Sequence, residues 1–207
     1  MRCLDTLGGV NSYHTTHPDM TTRIPVSSIG LPGHHSPGAG FEEPFDMLSA
    51  CHERVVRMLS LLARLREHLG TVGWDASAAQ AAHDVMRYFD VAAPHHHEDE
   101  ERHVFPALLA DATCPLHDVV RRLQREHLVM TTNWAVGRLV LTRIRDAHAD
   151  TWQPLNAADN ASLDTFATLY DQHLKDEDER VFPAARQRAG GPQIQAMGTE
   201  MMNRRMA

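Results

Sequence analysis

The chain has 207 residues, 43% of them hydrophobic and 23% charged, and a formal net charge of −7. That length suits one well-buried core with tails rather than two full domains. The acidic balance, without a long basic run, excludes nucleic acid and an anionic membrane as main partners. No apolar stretch approaches the ~18 residues of a spanning helix, and the start lacks a signal-peptide core. Three scattered cysteines (Cys3, Cys51, Cys114) form no CxxC pair, so no disulfide or zinc-ribbon framework is readable and a cytoplasmic setting is expected. Histidine, at 15, is the compositional abnormality.

Residues 1–43 are rich in Gly, Pro, Ser and Thr and show no apolar period, which reads as a flexible tail with incidental His14, His17, His34 and His35. From Phe45 the chain turns helical. Phe45, Leu48, His52, Val55, Leu59 and Leu62 step by three and four along one face. Gly70 to Gly73 stops this helix, and Asp75 can cap the next. The second helix places Ala79, Ala82, Met86, Phe89, Ala93, His97, Glu101, Val104 and Leu108 inward. Pro94 should kink it one turn before His97 and free the Asp90 carbonyl.

Asp111 to Pro115 makes a turn into a third helix, whose seam is Leu116, Val120, Leu123, His127, Met130, Trp134, Gly137, Leu141 and Ile144. The fourth carries Leu163, Phe166, Tyr170, His173 and Glu177, and ends at Ala189 to Pro192. Residues 191–207 form an extension with a short amphipathic helix bearing Ile194, Met197, Met201 and Met202. Nothing reads as a strand. The expected fold is all-α, an up-down-up-down antiparallel four-helix bundle over residues 44–190.

Two stretches repeat one pattern: His97 to Pro106 and His173 to Pro183 each set a Glu four residues after a His and close on Val-Phe-Pro. On a helix that spacing stacks imidazole and carboxylate on one face, and two such helices can hold a pair of metal ions. One histidine also interrupts the apolar seam of each helix: His52, His97, His127 and His173. Uncompensated buried carboxylates cost several kcal/mol each even after relaxation, a cost of order ~3–5 kcal/mol that cations remove.

These residues resemble the hemerythrin-like (HHE cation-binding) proteins. The resemblance rests on the His52 seam position, on His96 to Glu101 followed by Val104-Phe105-Pro106, on Glu126-His127, and on His173 to Glu177 followed by Val181-Phe182-Pro183. It spans roughly residues 44 to 190. It implies a four-helix bundle around two non-haem iron ions, oxo- or hydroxo-bridged, that bind or sense dioxygen. Carried over, His52, His97, His127 and His173 are terminal ligands and Glu101 and Glu177 bridge the ions. Imidazole with carboxylate and no thiolate also admits manganese or zinc.

One departure stands out. The oxygen-carrying members have two histidines a turn apart on the third helix, whereas here Thr131 follows His127. Of roughly twelve positions on two six-coordinate ions, about two rather than one then remain open. Solvent fills the extra place, or Glu98 or Glu100 swings in. A ferritin-like centre would need two Glu-x-x-His motifs, and only Glu100 to His103 matches. His96 is expected outside the site, and His68, His83, His103, His117 and His148 on the surface. Cys51 points elsewhere, and Asp99, Asp178 and Glu179 form a solvated face. Tyr170 and Met130 line the ligand pocket or simply pack in the core.

Three functions follow. The leading one is non-enzymatic binding of dioxygen or nitric oxide, for sensing, storage or scavenging. The alternatives are a di-iron enzyme that reduces peroxide or oxidises a small substrate, and an iron-handling module with a protein partner that the residues do not specify.

Overall fold

The structure is a computed structural model and describes residues 40–206. The tail expected over residues 1–43, with its four histidines, therefore lies almost wholly outside the described residues. Those residues form helices and turns only.

Helix α1 is Pro44–Thr71, opened by a proline whose missing N–H has no partner to lose there. Gly73, at φ 95°, takes the left-handed turn after it. Asp75 then caps α2 by accepting from the backbone N–H groups of Ser77 and Ala78. Helix α2 is one continuous run, residues 76–109, from Ala76–Arg87 to Phe105–Leu109. Helix α3 is His117–Arg145. Helix α4, residues 157–188, starts at Ala157 behind a reciprocal Asn156/Asp159 capping box and runs through Phe182–Arg188. Helix α5 is Gly191–Met206.

Three π-helical turns interrupt α2 and α4, at Tyr88–Ala92, Glu100–Val104 and Glu177–Val181. Each falls just before a proline: Pro94, Pro106 or Pro183. A proline inside a helix lacks the N–H for the carbonyl four residues back and clashes with that carbonyl. The backbone widens instead of breaking. Ala93, Phe105 and Phe182 donate to the carbonyls of Tyr88, Glu100 and Glu177, five residues back. The kink expected at Pro94 is thus a widened turn.

Helix α1 packs on α2, α2 on α3 and α3 on α4, an arrangement compatible with a helical bundle. The core forms two apolar clusters. One holds Leu62, Leu65, Met86, Phe89, Leu141, Leu163 and Phe166; the other holds Leu48, Phe105, Leu108, Leu123, Phe182 and Met201. On every one of these four helices the His/Glu positions fall between residues of the first cluster and residues of the second.

Helix α5 closes the second cluster with Met197 and Met201. Its Gly198 lies so near the Phe41 carbonyl that a Cβ would sit 1.8 Å from the oxygen. Its Arg204 and Arg205 both reach the carboxylate of Asp99, which is fully buried. Asp99 is therefore not on the solvated face expected for it. A buried carboxylate needs such pairing, and α5 supplies it.

Candidate metal centre

Seven side chains meet in the layer between the clusters: His52 from α1, His96, His97 and Glu100 from α2, His127 from α3, and His173 and Glu177 from α4. They fall into two groups, His52 with His96, Glu100 and Glu177, and His97 with His127 and His173, and the donor atoms of each group lie within 4.8 Å of one another.

The atom pairs assign each carboxylate to both groups. In the first, Nε2 of His52 and Nε2 of His96 are 2.8 Å apart. Glu100 Oε1 is 3.2 Å from the His96 nitrogen, and Glu177 Oε2 is 3.3 Å from the His52 nitrogen. In the second, Nε2 of His127 and Nε2 of His173 are 3.2 Å apart. The other oxygens of the same carboxylates turn this way: Glu100 Oε2 lies 3.4 Å from His127 and Glu177 Oε1 lies 3.1 Å from His173. Adjacent ligands at about 2.1 Å on an octahedral ion are separated by about 3 Å, so these separations suit the edges of two coordination shells sharing two carboxylates.

The outer nitrogens explain why the inner ones face the centre. Nδ1 of His127 bonds Glu101 Oε1 at 3.1 Å, and Nδ1 of His173 bonds Glu126 Oε2 at 2.9 Å. A carboxylate only accepts, so Nδ1 donates to it, and Nε2 of both rings is the atom turned inward toward a cation, whether metal ion or proton. Two lone pairs 3.2 Å apart repel unless a cation lies beside them. His52 Nδ1 also lies near a carboxylate, 3.0 Å from Asp178 Oδ2, but without hydrogen-bond geometry. Carboxylates on the outer nitrogen are a recurrent feature of metal-binding histidines.

All four oxygens of Glu100 and Glu177 are buried without a hydrogen bond in suitable geometry. Such groups are costly in a protein interior unless a cation compensates them. The donor set therefore fits a pair of cations.

In the metal-free state protons serve as those cations. Burial pushes His96 down, but the Glu100 carboxylate and neighbouring Cys51 outweigh it and raise His96 to about 10. Burial likewise opposes His127, which Glu101, Glu177 and Glu100 raise to about 9. Burial and the like charge of Glu177 push Glu100 up, yet His96 and His52 bring it down to about 2. Burial also opposes ionisation of Glu177, but His127, His173 and His52 hold it well below the usual carboxylate range. His97 goes the other way: burial, then the neighbouring His127, push it well below the ordinary histidine value.

The structure brings His52, His97, His127, His173 and Glu177 into the layer, and it places the other expected residues differently. His96, expected outside, is fully within it, and Glu100 occupies the place expected of Glu101. Glu101 lies at the rim, bonded to His127 and Gln124. The physical reason is rotational drift. A four-residue step overshoots a helical turn by about 40°, so the path Ala93, His97, Glu101 swings about 80° off the inward face. A three-step followed by a four-step, Ala93 to His96 to Glu100, stays on it. In α4 the chain takes that path, Tyr170 to His173 to Glu177, and the expectation agrees with the geometry.

Glu98 turns away to Arg102 and Arg204. His103 is half-buried against Glu200, His68 is buried beside Asp75, and His117 meets the carbonyls of Leu108 and Asp111. Cys51 sits near His96 rather than away from the site. Thr131 is exposed and donates its hydroxyl to the His127 carbonyl. The outer partners Glu126 and Asp178 carry a faint sequence signal, each standing next to a His or Glu of the layer.

A cleft of about 760 Å³ opens beside the second group. Phe89, Pro94, Met130, Trp134 and Tyr170 wall it, and His97, His127 and Thr131 border it.

A helical protein in which seven His and Glu side chains, six of them buried, fall into two donor groups belongs to the class of cation-binding helical proteins. The sequence profile of the hemerythrin HHE cation binding domain matches residues 43–185, and the chain belongs to that family. It is also similar to an uncharacterized protein of Haemophilus influenzae, 28% identical over 167 residues that cover 81% of this chain and 92% of that protein.

Proposed function

We propose that this chain is a non-haem di-iron protein that binds dioxygen or nitric oxide, serving sensing, storage or scavenging. The observation that supports this most is the pair of carboxylates, Glu100 and Glu177, each with one buried oxygen toward either histidine group. In this reading His52, His96, His127 and His173 are terminal ligands and the carboxylates bridge, inside an up-down-up-down antiparallel four-helix bundle. Iron suits imidazole with carboxylate; manganese or zinc is the competing occupant. Bound iron supplies reversible electron exchange with a diatomic ligand.

The protein's own residues hold and shield the centre. Glu101 and Glu126 fix their rings with Nε2 inward. Phe182 stacks on His52 with ring centroids 5.2 Å apart, and Phe105 on His127 at 5.6 Å. Both rings belong to the second apolar cluster and shield the centre from that side, while the cleft beside His127 gives a small ligand access. No helix among the described residues is long and apolar enough to cross a membrane, which accords with the cytoplasmic setting proposed for the protein.

The test is equilibrium gas binding to the anaerobically iron-loaded protein, followed by absorption. The proposal expects saturable uptake, reversed when the gas is removed. Irreversible oxidation with release of peroxide would overturn it. The cleft beside His127 and Tyr170 favours a second reading, an enzyme acting on peroxide or a small substrate. Steady turnover of hydrogen peroxide by the iron-loaded protein, lost in His127→Ala, would select that reading.

A further inference from the structure

We propose that Asp99 and Asp176 are positioning residues: each, clasped by arginines on the side of its helix away from the layer, sets the rotation that turns the next residue, Glu100 or Glu177, inward. The proposal rests on the di-metal reading above.

The two shared carboxylates sit in the same local sequence, His96-His97-Glu98-Asp99-Glu100 and His173-Leu174-Lys175-Asp176-Glu177. In both, a buried aspartate stands beside the buried glutamate. Consecutive residues point about 100° apart on a helix, so the two carboxylates of each pair face different surroundings. The glutamate oxygens have no hydrogen bond, whereas both oxygens of each aspartate are taken. Arg205 of α5 meets Asp99 with both arms of its guanidinium, Nη1 to Oδ1 at 3.2 Å and Nη2 to Oδ2 at 2.5 Å, and Arg204 adds a bond to Oδ1. Asp176 accepts from Arg122 of α3 and from Gln172 at Oδ2, and from Arg180 at Oδ1, 2.7 Å away. Different helices thus supply the same arrangement twice. Paired arginine contacts fix the direction of a carboxylate as well as compensating its charge.

Neither the apolar pattern nor the backbone ladder supplies that direction. From His95 to His103, α2 carries no apolar residue. In both helices the π-helical turn opens at the glutamate itself, Glu100–Val104 and Glu177–Val181, so the regular four-residue ladder stops there. The following residue is a second carboxylate in each case, Glu101 or Asp178, which a rotation of one step would bring to the layer. The clasped aspartate opposes that slip, since turning Glu101 inward would pull Asp99 off both arginines.

The test uses the full chain reconstituted anaerobically with ferrous iron. It reads iron per chain, the rate of iron loss to a chelator, and the melting of the metal-free protein by circular dichroism. Asp99→Asn and Asp176→Asn are each expected to load two ions and to release them on the order of 10–100-fold faster than the parent, the usual effect of losing a group that orients a ligand. Removing a whole ion pair disturbs a fold less than removing one partner. Asp99→Asn combined with Arg204→Gln and Arg205→Gln should therefore melt closer to the parent than the two arginine changes alone, yet release iron as fast as Asp99→Asn. Asp176→Asn poses the same question where both arginines are partly exposed, so it reads out even if α5 does not tolerate the changes around Asp99.

Parental release rates in both asparagine variants would overturn the positioning role while leaving the di-metal reading intact. So would a triple variant whose release returns to the parental rate along with its melting, which would make the clasp a charge balance only. A parent protein that takes up no pair of ions would overturn the di-metal reading itself.

Discussion

Exchanging Glu100 and Glu101 for glutamine, one at a time, distinguishes the inward carboxylate from its neighbour. Glu100 Oε1 is 3.2 Å from His96 and Oε2 is 3.4 Å from His127, so one substitution removes a donor from both groups. It also leaves buried imidazoles with half their compensating charge. Breaking a buried ion pair costs about 3–5 kcal/mol, which for a chain of this size lowers Tm by the order of 10 °C. Glu101 touches only the outer nitrogen of His127, and its side chain is 36% exposed. Its replacement should cost the metal-free fold under ~1 kcal/mol. It should weaken metal binding by about 10–100-fold, the usual effect of losing an outer partner. The assays are metal content after dialysis and scanning calorimetry of the metal-free variants. Glu100→Gln should empty the site and melt early; Glu101→Gln should keep two ions. A Glu101→Gln protein without metal beside a fully loaded Glu100→Gln protein would refute the register assigned to α2.

Further predictions concern pH, the core and α5. His96 at about 10 and His127 at about 9 bind protons in the folded state that the unfolded chain, near 6.5, releases first. The stability they contribute is full below pH ~6.5 and lost as pH rises through 9–10, so the Tm of metal-free protein should fall between pH 7 and 10. A rising Tm over that interval would contradict the charge pattern of the layer. Phe166, fully buried against Phe89, Trp134 and Tyr170, should cost about 3–5 kcal/mol when replaced by alanine in urea titrations, with metal content unchanged at low temperature. An effect below ~1 kcal/mol would place Phe166 outside a tightly packed core. Gly198→Ala forces α5 off the Phe41 carbonyl and should cost about 1–3 kcal/mol, with faster amide exchange in α5. Unchanged exchange would show that this contact does not hold α5 in place.

Most of the helical layout is legible because apolar residues recur at three and four and the first break is marked by Gly70 to Gly73 and Asp75, whereas the Asn156/Asp159 box that starts α4 lies in a stretch that reads as loop. The depth of the polar layer is legible too, since one histidine interrupts each apolar seam at a similar height. What periodicity misreads is the rotation of α2. Three consecutive histidines, His95, His96 and His97, followed by four acidic residues leave the hydrophobic pattern nothing apolar to fix the inward face. A constant four-residue step then chooses Glu101. In α4 the single His173 after Tyr170 leaves no such ambiguity. The burial of Asp99 is illegible for a different reason: its partners Arg204 and Arg205 come from α5, about a hundred residues later, and no local spacing reveals them.

One layer of histidines and two shared carboxylates is proposed to hold a pair of iron ions. The most direct test is the metal-to-protein ratio of the purified full chain, measured by elemental analysis together with its absorption spectrum. Two irons per chain with a ferric charge-transfer band is the predicted result. A single zinc per chain, or no tightly held metal after reconstitution with ferrous iron, would contradict it.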